Sequence, residues 1–430
     1  MALTFTVLAI LLQSFIAPVR LCEIPDGNIR LIQSLNLKLL RSTLDSSNEI
    51  NPSVYVGLRL SEDHNLQTEA IYLRRLKASL DAITSSAKTD KEEPQTGILA
   101  LYLMALKSSC EDMDTPERRK LITDLKLQLH EEKRHLVSTG RPLSNYYQYS
   151  LGILAMCVNH KKVDVRLIQK LLHAEDEDKF VHGDNVSIDT EAMAGLAFLC
   201  LKRSGQYSSE LIRHLNKGAK SVKQRILASQ DLQGSLGNIY STPLAVQFLT
   251  AIGYSKENET CSAAVDALLE AMKQGKFTNP MMMSQLMPVL HKKSYLDVSK
   301  VDCRESIDNL FISPSSGILP EVPVGEDLIH VQLVVEEPSG QQFTQSIGVP
   351  SRSSLLNILK TAEEHNPNFT FEIKDSLYGP FLTTVNGVKS STEDRTYWQL
   401  LKDPNVSLIE GIADYRPEDG EIIILRLSKW

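Results

Sequence analysis

Four groups of residues with the same chemical character each stand at the start of an apolar run. Ser144, Asn145, Tyr146, Tyr147 and Gln148 lead into the first, Asp189 opens the second, Asn238 and Ser241 precede the third, and Ser284 with Gln285 begins the fourth. Hydroxyls, amides and phenols supply many donors and acceptors with little charge, which suits a large neutral ligand rich in amide groups. An anion would call for Arg or Lys. Each residue taken singly is equally suited to capping the helix it precedes; the recurrence over four places is what points to a ligand.

Motifs for catalysis are absent: the chain has no GxSxG, P-loop, HExxH, or GxGxxG after a strand. The acidic run Glu175 to Asp178 reads as a solvated loop. Asp189 and Glu191 are the carboxylates that stand where a glycosidase acid/base pair would have to be. A secreted α/α-toroid glycosidase is therefore the alternative reading.

The elements that hold these residues are helical from Cys22 to about Val301. Small-residue, apolar helices recur, with markers at Gly57, Gly97, Gly152, Gly195, Pro243 and Leu286, at steps of 40, 55, 43, 48 and 43 residues. Charged amphipathic helices lie between them, such as Pro116 to Glu132 and Ser208 to Ser229. Six hairpins of this kind, apolar inside and charged outside, close into an α/α toroid over residues 22–312; an open solenoid is the other arrangement of the same units. Cys157 and Cys200 each lie five residues past an equivalent glycine, which favours a bridge between neighbouring inner helices. The other four cysteines cannot be paired on this ground.

Residues 313–327, rich in Pro, Ser and Gly, read as a linker. Alternation at Ile329, Val331, Leu333 and Val335, a short helix from Ser353 to His365, and later strands up to EIIILRL predict a small β-rich domain with one helix over 328–430. The whole is thus a multidomain chain, α followed by α+β.

Leu3 to Phe15 is apolar and uncharged, so residues 1–21 read approximately as a signal peptide. No later run is long enough for a membrane span. Six cysteines without zinc spacing, and sequons at Asn185, Asn258, Asn368 and Asn405, fit a secreted, disulfide-bonded glycoprotein. A net charge of -7 argues against nucleic acid as the main partner.

The segments YYQYSLGILAMC, SIDTEAMAGLAFLCLKRS, GNIYSTPLAVQFL, SQLMPVL, YWQLLKDPN and GIADYRPEDGE, with CEIP at Cys22 and NPSVYVGLRL at Asn51, resemble the cobalamin carriers, the family of transcobalamin, intrinsic factor and haptocorrin. The resemblance runs through essentially the whole mature chain in order and is strongest to transcobalamin. It implies a toroid of six hairpins joined to a small β-rich domain, with cobalamin and its cobalt enclosed between them. It also implies a secreted, non-enzymatic transport protein that hands its ligand to a cell-surface uptake receptor, without membrane insertion; a monomer is the default for its oligomeric state, which the sequence leaves open. Mapped by the resemblance, Ser144, Asn145, Tyr146, Tyr147, Gln148, Asp189, Asn238, Ser241 and Gln285 are toroid contacts to cobalamin. Trp398, Gln399 and Leu400 are contacts from the small domain. The implied disulfides are Cys22 with Cys261, Cys110 with Cys303, and Cys157 with Cys200.

Two departures stand out. Ile98 occupies a place where the family commonly has Gln, leaving an amide contact missing or supplied by Gln95. Asn185 and Val186 stand where transcobalamin carries a His able to ligate cobalt from above, so His182, a few residues earlier, is the candidate upper ligand through its neutral imidazole, a solvated loop residue being the other reading.

Overall fold

The computed structural model describes residues 24–45, 50–86, 96–182, 185–253, 259–312, 328–338, 340, 342–374, 376, 379–391 and 394–429. Two compact units result, Met1–Phe311 and Ile312–Trp430. The leader expected over residues 1–21, the linker expected over 313–327, Cys22, Gln95 and the Asn258 sequon lie outside the described residues.

The first unit is a succession of outer and inner helices. In order they are α1 (Ile29–Ser42) and α2 (Pro52–Leu60), α3 (Leu66–Ser86) and α4 (Thr96–Ser108), α5 (Pro116–Thr139) and α6 (Tyr146–Val158). Then come α7 (Val165–Asp176) and α8 (Ile188–Arg203), α9 (Ser209–Ala228) and α10 (Thr242–Ala251), α11 (Glu259–Lys273) and α12 (Pro280–Leu290). The even-numbered helices are apolar on every side and bury on every side: α4 has no exposed residue between Leu99 and Leu106. The outer helices bury one stripe, as α9 does with Leu211, Leu215, Ala219, Val222 and Ile226.

Each inner helix packs on the next, and α12 packs on α2, so the ring is closed. An open solenoid would leave α2 and α12 apart. Their closeness depends on Gly57: a Cβ there would lie 2.8 Å from the Ser284 Cα, so any side chain would force the first and sixth hairpins apart. Gly195 plays the same part for α8, where a Cβ would lie 2.5 Å from the Phe248 ring. At the far end of the ring the short 3-10 helix Tyr295–Lys300 packs on α2, α4, α6 and α8, with Tyr295, Leu296 and Val298 buried. It gives the ring a floor.

Disulfides tie that same end. Cys157 in α6 joins Cys200 in α8 with Cα atoms 6.1 Å apart, and Cys110 joins Cys303. Cys261 is also disulfide-bonded.

Between α7 and α8 a small ribbon pairs β1 (Val181–His182) with β2 (Asn185–Val186). The second unit holds β3 (Leu328–Glu336), β4 (Gln342–Pro350), α13 (Leu355–His365), β5 (Phe371–Lys374), β6 (Phe381–Val385) and β7 (Val388–Lys389). It ends with β8 (Thr396–Lys402), β9 (Val406–Ser407) and β10 (Ile422–Lys429). Its main sheet has the order β4-β3-β10-β8-β9, parallel only between β3 and β10. Helix α13 buries Leu355, Ile358, Leu359 and Ala362 in the core shared with Val331, Leu333 and Ile423. Its cap is Ser354, whose hydroxyl accepts from the Asn357 backbone, one residue later than Ser353, where the sequence places the helix start. Ser353 instead donates to the Pro350 carbonyl.

Candidate ligand-binding site

The N-terminal ends of the six inner helices form one rim of the ring, opposite the floor, and the polar residues that precede or open α6, α8 and α10 stand there. Tyr147 and Gln285 make this concrete. Their helices, α6 and α12, stand three places apart among six, hence on opposite sides. Gln285 Nε2 nevertheless donates to the Tyr147 hydroxyl at 3.3 Å, so the two side chains meet across the mouth.

Around them the rim is fixed from behind. Glu132 is fully buried in α5, and its carboxylate accepts from the Thr96 hydroxyl at 2.7 Å and the Ser144 backbone N–H at 2.9 Å, with the Ser144 hydroxyl donating as well. Asn145 caps α6 by accepting from the Gln148 N–H at 2.8 Å. Gln148 lies over Gly97, its Oε1 3.0 Å from where a Cβ would be. The Tyr146 ring packs on Phe180 with centroids 5.4 Å apart, and burial pushes its phenol up to about 12.

Asn238 Oδ1 accepts from the backbone N–H groups of Tyr240 and Ser241, both at 2.9 Å. The Ser241 hydroxyl donates to the Leu236 and Asn238 carbonyls. Local capping therefore consumes the Ser241 donor and the Asn238 acceptor. Ser284 is buried between α12 and α2, donating to the Met281 carbonyl and approaching Ser53 at 3.1 Å.

Asp189, in the first turn of α8, differs from its neighbours. Its Oδ1 is buried and has no hydrogen-bond partner among the described residues, and burial pushes the carboxyl up to about 6. A buried acceptor left unpaired is costly, so this oxygen is poised for a donor that the described residues do not supply. Glu191, two residues on, points elsewhere. It shares the guanidinium of Arg225 with Glu175 and Asp178, at 3.3 Å from its own Oε1. Burial pushes Glu191 up to about 7, against the pull of Arg225, and raises Glu175 as well. The acidic run is thus not wholly solvated: Glu175 is buried because Arg225 reaches it from α9, while Asp176 and Glu177 pair with Lys217 and Lys179 at the surface.

His182 is exposed on the ribbon and faces Asn185 as its cross-strand partner. Ile98 lies in the first turn of α4 and is half-buried. In the second unit Trp398 is buried with its indole N–H donating to the Val388 carbonyl at 3.1 Å, and Leu400 packs on the same core. Gln399 accepts from the Ser428 hydroxyl at 2.7 Å.

Sequence reasoning missed Glu132, Gln247 and Arg225. Glu132 was detectable, since it occupies a core position on the stripe of Leu121, Leu125, Leu129 and Leu136. Gln247 is fully buried, linking the Gln285 carbonyl to the Tyr295 N–H, and nothing local marks it.

Among the described residues no helix is long and apolar enough to cross a membrane. The family model described as eukaryotic cobalamin-binding protein matches residues 4–322. Transcobalamin-2 of Bos taurus is 41% identical, over 98% of this chain and 99% of its own length. Cobalamin binding intrinsic factor of Homo sapiens is 30% identical, over 95% and 94%. A crystal structure of haptocorrin in complex with Cbi superposes with a TM-score of 0.78, covering 95% of this chain and 100% of that one, at 24% identity. On fold, on family model and on identity along nearly its full length, the chain belongs to the eukaryotic cobalamin-binding proteins.

Proposed function

We propose that the chain is a secreted carrier that binds cobalamin at the rim of its toroid, transports it without chemical change, and releases it to cells after capture by a surface receptor. The observation that carries this is the rim itself: Tyr147 and Gln285 converge across the ring, and Asp189 in the first turn of α8 holds an Oδ1 without a partner among the described residues. Cobalamin is large and edged with amides. Amide N–H groups are the donors Asp189 lacks, and the Gln148, Asn238 and Gln285 side chains offer amides in return. Binding is tight when such a ligand leaves water with each polar group partnered. Ser144, Asn145, Tyr146, Tyr147 and Ser241 shape the rim around it. Trp398, Gln399 and Leu400 are the second unit's contribution; with the Trp398 indole already committed, that contribution runs through Gln399 and backbone groups.

The test is uptake. Purified protein mixed with aquocobalamin retains close to one corrinoid per chain through gel filtration and returns it unaltered on denaturation. A protein that takes up no corrinoid, or that hydrolyses polysaccharide at its rim, contradicts the proposal.

His182 is the proposed upper ligand of the cobalt, carried on the ribbon that leads into α8. Coordination requires the neutral imidazole, so acid opposes it by protonating the ring. The visible spectrum of bound aquocobalamin shifts in His182→Ala if the imidazole is coordinated; identical spectra exclude it.

A further inference from the structure

The outer wall of the toroid carries a second surface of definite chemistry. Helices α5 and α7 pack side by side over α6 and leave two successive hollows between them, of about 310 and 390 Å³. The floor of the first is apolar: Leu129, Met156, Val163 and Leu167 line it and are buried. Val165 lines its edge and Val137 that of the second, and these valines are 39% and 66% exposed.

The walls are cationic. Lys126 and Lys133 stand two turns apart on α5; Lys162, Arg166 and Lys170 follow at four-residue steps into and along α7. None of these five makes an ion pair among the described residues, whereas Arg118 and Arg134 on other parts of α5 pair with Glu111 and Glu131. The one acid lining either hollow is Asp164, whose Oδ1 accepts from the Arg166 backbone N–H. Five unpaired cations in one groove run against a chain whose net charge is -7. Mutual repulsion makes such an arrangement unfavourable until an anion enters.

We propose that the groove between α5 and α7 is a docking site for an acidic, amphipathic polypeptide segment of a partner protein. Its carboxylates fit between the two cation ladders and its apolar side chains cover the exposed Val165 and Val137. From Lys126 to Val137 the wall is about 16 Å long, enough for three turns of a helical ligand. The exposed valines decide between polyanions, because a sulfated polysaccharide offers nothing to cover them. The proposal is independent of what the rim binds.

A fluorescent peptide of about sixteen residues, with Leu at helical three- and four-residue spacing and Glu elsewhere, tests it on the full-length protein. Saturable binding is expected, weakening with salt, and falling about tenfold or more in Lys133→Glu/Lys170→Glu. Lys162→Ser/Arg166→Ser, both fully at the surface, is the second variant and should weaken binding in the same direction with the helical circular dichroism unchanged. Replacing the peptide's Leu residues by Ser should also weaken it. The proposal is overturned if the peptide does not bind, if both variants bind it as wild type does, or if a heparin oligosaccharide displaces it while the Leu-to-Ser peptide binds equally well.

Discussion

The two ends of the toroid each bury a carboxylate against an arginine, yet they balance differently. At the floor end Arg59 Nη1 lies 2.9 Å from Glu69 Oε2, and His64 Nδ1 lies 3.1 Å from the other carboxylate oxygen. The guanidinium also donates to the Ser108 carbonyl and the Ser306 hydroxyl, so both partners are fully used. At the rim end one guanidinium, Arg225, serves two buried carboxylates and an exposed one; Glu191 Oε2 and Asp189 Oδ1 have no partner among the described residues. The ion pair at the floor is complete as folded, and the buried acceptors at that end without a partner among the described residues, Asn36 Oδ1 and Asn159 Oδ1, are neutral amides. The rim carries excess buried acid and unmet acceptors, the state expected of a surface completed by a ligand.

The sharpest way to break this comparison is at the floor. Arg59→Met leaves Glu69 buried without its cation and should cost about 3–5 kcal/mol, read as a fall in the denaturant midpoint. A cost below 1 kcal/mol would mean that the floor is no better balanced than the rim.

Arg225→Met comes next, at about 1–3 kcal/mol near pH 8, because water reaches part of the cluster. The loss should shrink by pH 5, where Glu191, raised to about 7, is protonated and needs no cation. Equal losses at both pH values would show that Glu175 and Glu191 do not share the proton load.

The smallest effect is the most telling. Asp189 titrates near 6 in the folded protein, against about 4 unfolded. An acid raised on folding binds more protons in the native state, so its contribution to stability is present at low pH and is lost as pH rises through that window. Asp189→Asn should therefore stabilise the ligand-free protein near pH 8 by on the order of 1 kcal/mol while weakening ligand binding. Thermal unfolding at pH 4 and pH 8 reads the first effect, and destabilisation at pH 8 would remove the case for an acceptor held open for ligand.

Much of this was legible in the chain. The six hairpins show as repeated small-residue helices, and their closure follows once Gly57 and Ser284 are seen to meet. Tyr147, Gln148, Asp189 and Gln285 were visible because amides and phenols before apolar runs have a chemical meaning. The floor was not visible, since Tyr295–Lys300 is a single short turn whose role depends on where four distant helices converge. Arg225 was hidden for a related reason. On the sequence it is one more charge on an outer helix, and only packing brings it to Glu175, fifty residues away. The parallel pairing of β3 with β10 joins the first and last strands of the second unit and likewise leaves no local trace.

The central claim is that the rim is the cobalamin site, and titration of aquocobalamin into wild type and Gln285→Ala tests it most directly. The account predicts one corrinoid per wild-type chain and an affinity lowered about tenfold or more in the variant, with the unfolding transition unchanged. No uptake by the wild type, or equal affinity in both proteins, would contradict it.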